Sequence, residues 1–197
     1  MTEAMAEETC SEVEVELIEE VFQRIAGDIA MIADRNLQIN SIKARRSGKR
    51  AVGRGNIHIS FKLGIETPEG ILHGCVLVPL PDAISLACYL MMVPDDGVRS
   101  KRSDKDLDST TKDAMLEVAN FIGGATDAAL RALGLQEEIK VRSEGCQGVR
   151  ADVRPALIYS EGDPLLIGKA KAVLHDYPAF DMILILPDLS GILADRE

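Results

Sequence analysis

Between positions 12 and 34 the apolar residues Ile18, Val21, Phe22, Ile25, Ile29 and Ile32 recur at helical spacing. That period predicts a long amphipathic helix from about Glu12 to Asp34, with one face turned to a core. Leu37 to Lys43 alternates weakly, as a strand does. The next stretch, 43–54, carries Lys43, Arg45, Arg46, Lys49, Arg50 and Arg54 with glycine or small residues between them. It reads as a mobile basic loop. Ile57 to Ile65 and Ile71 to Leu80 flank Thr67-Pro68-Glu69-Gly70, the pattern of a hairpin with a Pro/Gly turn. A short helix follows Pro81, from Asp82 to Met92. A polar loop from Pro94 to Asp108 leads into a second long helix, capped by Ser109 or Thr110 and stopped by Gly134. Residues 138–145 and 150–160 are expected as strands. Leu165 to Leu174 and Met182 to Leu186 form a further strand pair around His175-Asp176-Tyr177-Pro178. Residues 1–11 are expected to be a flexible acidic arm.

The chain repeats itself. At a shift of 97 residues, Glu16, Glu20, Gln23 and Gly27 fall on Asp113, Glu117, Asn120 and Gly124. Ile18, Val21 and Ile25 fall on Met115, Val118 and Ile122 at the same shift. Val78-Pro79-Leu80-Pro81-Asp82 matches Leu184-Ile185-Leu186-Pro187-Asp188. The matches keep their order, which points to two pseudo-equivalent halves of one domain, about 12–92 and 109–193, within a unit spanning 12–197.

On a helical wheel Asp113, Glu117, Asn120 and Gly124 form one narrow stripe. Met115, Val118, Ile122, Ala125, Ala129 and Leu133 lie on the opposite side and face the core. The stripe must then face solvent or a partner. Glu117 and Asn120 are neighbours at i and i+3. Gly123 and Gly124 follow in mid-helix, where each glycine costs about 1 kcal/mol against alanine. That cost is reasonable if something approaches the helix closely beside the carboxylate and the amide.

Composition narrows the choices. A chain of 197 residues suits one domain. Apolar content of 46% and charged content of 27% are those of a globular protein. Only 4% of residues are aromatic, with no Trp, which argues against a base-stacking nucleic-acid platform. A net charge of −10 argues against a general phosphate-backbone binder. Cys10, Cys75, Cys88 and Cys146 share no metal-ligand spacing, so no zinc site is readable, and a reducing compartment is expected. The three histidines, His58, His73 and His175, are expected as strand residues rather than ligands. The first 20 residues contain eight Glu and no Lys or Arg, which is not a secretory signal. The apolar run Ala83–Val93 is too short to span a bilayer. A cytoplasmic protein is expected. Gly53-x-Gly55 lacks the third glycine of a dinucleotide site, and no P-loop or nucleophile motif is present.

Asp113-x-x-x-Glu117-x-x-Asn120 with its glycine-rich step resembles the signature of the CheC/CheX/FliY phosphatases of bacterial chemotaxis. The two-half organisation and the Leu-Pro strand ends resemble that family as well, over most of 12–193. The resemblance implies an α+β fold, a mainly antiparallel sheet packed against two long helices. It implies hydrolysis of the aspartyl phosphate of a phosphorylated CheY-like response regulator. Asn120 would position the attacking water and Glu117 would pair with a regulator lysine. Asp113, Gly123 and Gly124 would support the stripe. Glu20 and Gln23 would be a degenerate second site. No cofactor would be bound by this chain, Mg2+ coming with the regulator. Where the fuller signature carries a downstream proline, this chain has Ser143. One complete signature is closer to homodimeric CheX-like members, whereas the length is closer to CheC-like ones, so monomer and homodimer both stay open. The alternative on the same fold is a non-catalytic regulator-binding or flagellar-switch-like module. Neither a nucleic-acid nor a membrane partner is expected.

Overall fold

A computed structural model describes residues 9–135, 139–160 and 162–193. The expected acidic arm lies outside them up to residue 8. The first long helix, α1 (Glu12–Ala33), opens on a reciprocal cap. The Ser11 hydroxyl accepts from the Glu14 amide, and the Glu14 carboxylate accepts from the Ser11 amide. Strand β1 (Leu37–Ser47) is followed by the hairpin β2 (His58–Thr67) and β3 (Gly70–Pro79), then α2 (Leu80–Leu90) and α3 (Asp95–Lys101). The second long helix is α4 (Ser109–Ala132), followed by β4 (Lys140–Val149), β5 (Leu165–Leu174), β6 (Phe180–Pro187) and the short α5 (Ser190–Leu193).

The six strands make one sheet in the order β1-β5-β6-β3-β2-β4, and every neighbouring pair is antiparallel. Exchanging α1-β1-β2-β3-α2 with α4-β4-β5-β6-α5 maps this order onto itself reversed. The two halves therefore meet at the central β3–β6 ladder, Cys75 opposite Ile185 and Leu77 opposite Ile183. Both edge strands carry a bulge at matching places, where Ser41 (φ 51°) and Gly145 (φ 84°) adopt left-handed backbone. The fold is the α+β architecture expected, an antiparallel sheet against two long helices.

Helices α1 and α4 pack against each other and against the sheet. The main core lies between them and includes Phe22, Phe61, Leu63 and Ile122, all fully buried. Gly168 of β5 lets α1 settle there, because a Cβ would stand 2.6 Å from Ile18 Cγ2. A smaller apolar cluster, including Cys75, Leu77, Leu165 and Ile185, occupies a separate patch, with Leu157 and Tyr159 packed against it.

Several expectations are corrected. The basic run 43–54 is not one loop, because β1 continues through Arg45 and Arg46 to Ser47, paired with β5. Period-two alternation then splits the cations. Arg46 reaches Glu14 of α1, whereas Arg45 is on the other face. Residues 150–160 form no strand; they are an irregular segment after β4. The polar stretch 94–108 contains α3. Asp108, not Ser109 or Thr110, caps α4 by accepting from the Thr111 amide at 2.7 Å. His175 lies in the turn just beyond β5, with φ 51°, and not within a strand.

His58 is 3% exposed, and its Nδ1–H donates to the Asn56 carbonyl at 2.8 Å. Burial holds its pKa below the ordinary 6.5. The unfolded chain therefore binds a proton in a range where the folded chain does not. Stability should fall as pH drops through 6.5 towards the lower folded value. Thermal denaturation of the wild type and His58→Gln across that range checks this. The variant should lose less on acidification, and equal losses would refute the assignment.

Candidate functional site

Asp108 anchors the start of α4 twice, accepting from Thr111 and from Lys101 Nζ, the latter at 2.7 Å. The lysine, first, and the cap bonds hold its carboxyl well below the usual carboxylate range. From this start the helix buries Ala114, Met115, Val118, Ala119 and Ile122. Asp113, Glu117, Asn120 and Gly124 are all exposed, so the stripe read from the wheel exists as one solvent-facing line. Glu117 and Asn120 form no hydrogen bond or ion pair with any described residue, so both side chains are available to a partner.

The second half of the helix is pinned to the sheet. Asp127 Oδ1 accepts from the Val141 amide of β4 at 2.8 Å, while Oδ2 pairs with Arg131 at 2.6 Å. Gly123 faces inward, where a Cβ would stand 2.9 Å from the Ser143 backbone nitrogen. This corrects the reading of the glycine pair. Gly123 admits the chain's own β4 and not a partner. Gly124 alone keeps the outer line low, with nothing within 4 Å of its would-be Cβ. Ser143, the position lacking the family's proline, thus lies where β4 passes tightly against Gly123 of α4.

Two features escaped the sequence. Asp127 is the side chain that fixes β4 to α4, and only the fold brings Val141 to it. Leu116, 45% exposed beside Glu117, borders an apolar groove of about 380 Å³ with Ile57, Met115 and Cys146. Its signal was present, since Leu116 departs from the apolar side of the wheel.

The first-half stripe is built differently. Glu16, Gln23 and Gly27 are exposed on α1, but Glu20 is tied to Arg24 at 2.5 Å one turn on. At the shift of 97 the residue matching Arg24 is Phe121, so Glu117 has no such neutralising neighbour. Among the described residues no group of three His, Cys, Asp or Glu side chains is placed to hold a metal. No described helix is long and apolar enough to cross a membrane.

The arrangement as a whole has solved counterparts. Thermotoga maritima FliY is similar at 13% identity, covering 95% of this chain and 97% of that one, with a TM-score of 0.66. A chemotaxis protein CheX from Desulfovibrio desulfuricans is similar at 16% identity, covering 87% and 99%, with a TM-score of 0.53. This chain has the CheC/CheX/FliY fold. The FliM middle domain from H. pylori shares the architecture too, at 8% identity over 94% of this chain and 97% of that one, TM-score 0.61. No protein-family model and no curated protein matches the chain.

Within this fold the two adjacent glycines make opposite predictions. Gly124→Ala fills open space in mid-helix and should stabilise by roughly 0.5–1 kcal/mol. Gly123→Ala forces α4 from β4 and should destabilise by about 1–3 kcal/mol. Urea denaturation of both variants checks the pair, and equal midpoints would refute the packing described.

Proposed function

We propose that this chain hydrolyses the aspartyl phosphate of a CheY-like response regulator in chemotaxis signalling. The observation that carries the reading is the exposed Glu117-x-x-Asn120 stripe on α4, whose carboxylate and amide have no hydrogen-bond or ion-pair partner among the described residues. Phosphoryl transfer demands positioning and charge neutralisation more than a protein nucleophile. The Asn120 amide suits the first task. Its carbonyl oxygen accepts from a water and its NH2 donates to a phosphoryl oxygen. The water oxygen attacks phosphorus, the bond to the aspartyl oxygen breaks, and inorganic phosphate and the free carboxylate result. Glu117, one turn earlier, pairs with a lysine of the regulator and fixes the docked geometry. Asp113 sits one turn further back and supports that orientation. One carboxylate and one amide are too few ligands for a resident magnesium ion, so Mg2+ comes with the regulator's own acidic site. Glu20 and Gln23 form a degenerate copy, since Glu20 is already paired and Gln23 is one methylene too long. The reading implies a cytoplasmic protein.

The test is a phosphorylated CheY-like receiver domain mixed with the chain while the phosphoryl group is followed. Its decay should accelerate with added protein. A second reading has its own support in the fold shared with the FliM middle domain and the neutralised first stripe. It is a non-catalytic regulator-binding or flagellar-switch-like module. Association with unchanged decay would select it.

A further inference from the structure

On β5, Leu165, Ile167, Lys169 and Lys171 share the face turned away from α1, by the alternation of the strand. Two irregular segments converge on that region, 48–57 between β1 and β2 and 150–160 between β4 and β5. They are matching connections of the two halves. They bind each other through Arg50 Nη1 to the Pro155 carbonyl at 2.5 Å and the Asp152 amide to the Gly53 carbonyl at 3.0 Å. A cavity of about 870 Å³ lies there. Its lining concentrates positive charge in a chain of net charge −10.

Lys49, Arg50 and Arg54 contribute from the first segment, Arg154 from the second, and Lys169 and Lys171 from β5. Two of the described lining residues are acidic. Asp181 serves both Lys169 and Lys171, at 2.7 and 2.5 Å, and Asp82 is taken by Arg102 at 2.9 Å. Arg50 donates to the Pro155 carbonyl and lies 5.2 Å over the Tyr159 ring, and Arg154 donates to the Arg50 carbonyl; neither forms an ion pair with a described residue. Lys49 and Arg54 are exposed, with no ion pair to a described residue. Ile167, Ile183 and Phe180 add apolar surface to the same cavity.

We propose that this cavity binds a small organic or inorganic anion carrying two or more phosphate groups. Clustered cations so sparsely compensated repel one another, and a multiply charged anion relieves that repulsion. Guanidinium forks match phosphate oxygens. The volume is that of a small-molecule site. The cations converge from two segments and a strand on a concavity, where a nucleic-acid backbone would need an extended track. The apolar portion of the lining suits a flat organic group, so a nucleoside polyphosphate should bind more tightly than inorganic triphosphate. This site is separate from the α4 stripe, and its test does not depend on phosphatase activity.

Isothermal titration of the full chain with ATP, inorganic triphosphate and inorganic phosphate, in about 0.15 M salt, provides the test. Saturable binding of one triphosphate per chain is expected, at least about tenfold tighter than inorganic phosphate. The paired change Lys49→Ala with Arg54→Ala should weaken it about tenfold or more. Lys169→Ala, on the sheet itself, should weaken it independently of the loops. Lys105→Ala, outside the cavity, should leave it unchanged. Thermal melts establish that each variant is folded. Tighter binding of ATP than of triphosphate assigns a role to the apolar lining, and equal binding assigns the affinity to phosphates alone; both support the site. No saturable binding at millimolar ligand, binding indifferent to these cavity substitutions in folded protein, or binding of RNA or acidic peptide alone would overturn it.

Discussion

Asn120→Ala should abolish the acceleration of regulator dephosphorylation while leaving the fold intact. The side chain is exposed and makes no contact that the core needs, so its removal should change stability by no more than about 0.5 kcal/mol. Its proposed work is to hold a water within reach of phosphorus, and misplacing a reacting group by about an ångström costs on the order of 100-fold. Asn120→Gln is the sharper version. It retains the amide but extends it by one methylene, reproducing the residue at Gln23 of the first half. Activity should fall nearly as far as in Asn120→Ala. Glu117→Gln should act differently, weakening dependence on regulator concentration more than the saturated rate, since its proposed role is docking. Gln23→Ala should change nothing, because the first stripe already has its carboxylate paired. Full activity in Asn120→Ala, measured on protein with a wild-type melt, would eliminate the site.

Arg46→Ala should destabilise the chain by about 3 kcal/mol and lower the melting temperature by roughly 10 °C. Glu14 is 2% exposed and receives both Nε and Nη2 of Arg46, at 3.1 and 2.7 Å. Removing the guanidinium leaves a buried carboxylate whose remaining partner among the described residues is the Ser11 amide. A second acceptor is near, since Asp188 Oδ1 lies 3.8 Å from Nη1, so the arginine ties α1 and β1 to the end of β6. The matching residue of the first half, Asp82, is likewise held by an arginine, Arg102, at 2.9 Å. Arg46→Lys should lie between wild type and Arg46→Ala, because an ammonium keeps the charge but not the fork. Adding Glu14→Gln to Arg46→Ala should recover part of the loss, as the amide keeps the helix cap without a buried charge. A loss below about 1 kcal/mol in Arg46→Ala would show that solvent reaches the pair and satisfies Glu14.

Much of this was legible along the chain. The 3.6-residue period of α1 and α4 and the turn residues between β2 and β3 are local signals, and the corresponding elements appear within a few residues of the expected limits. The repeat was legible for a related reason. Equivalent helices and strand ends need equivalent apolar faces, so the two halves keep a common pattern. The exposed stripe followed directly, because a wheel fixes which side of a helix must be buried. Failures fell where the deciding contact is distant in sequence. Arg45 and Arg46 look alike in a basic run. Only pairing with β5 turns one to α1 and the other away, since adjacent strand residues point to opposite faces. Gly123 and Gly124 look alike in a helix. Only the approach of Ser143 tells the first apart as a packing site. The cations of 48–57, 150–160 and β5 are scattered over more than a hundred residues, and no local pattern joins them. The sequence by itself determined which faces are buried, because periodicity encodes that directly. The tertiary structure alone decided what lies against each face, because strand register and loop crossing are set by long-range pairing.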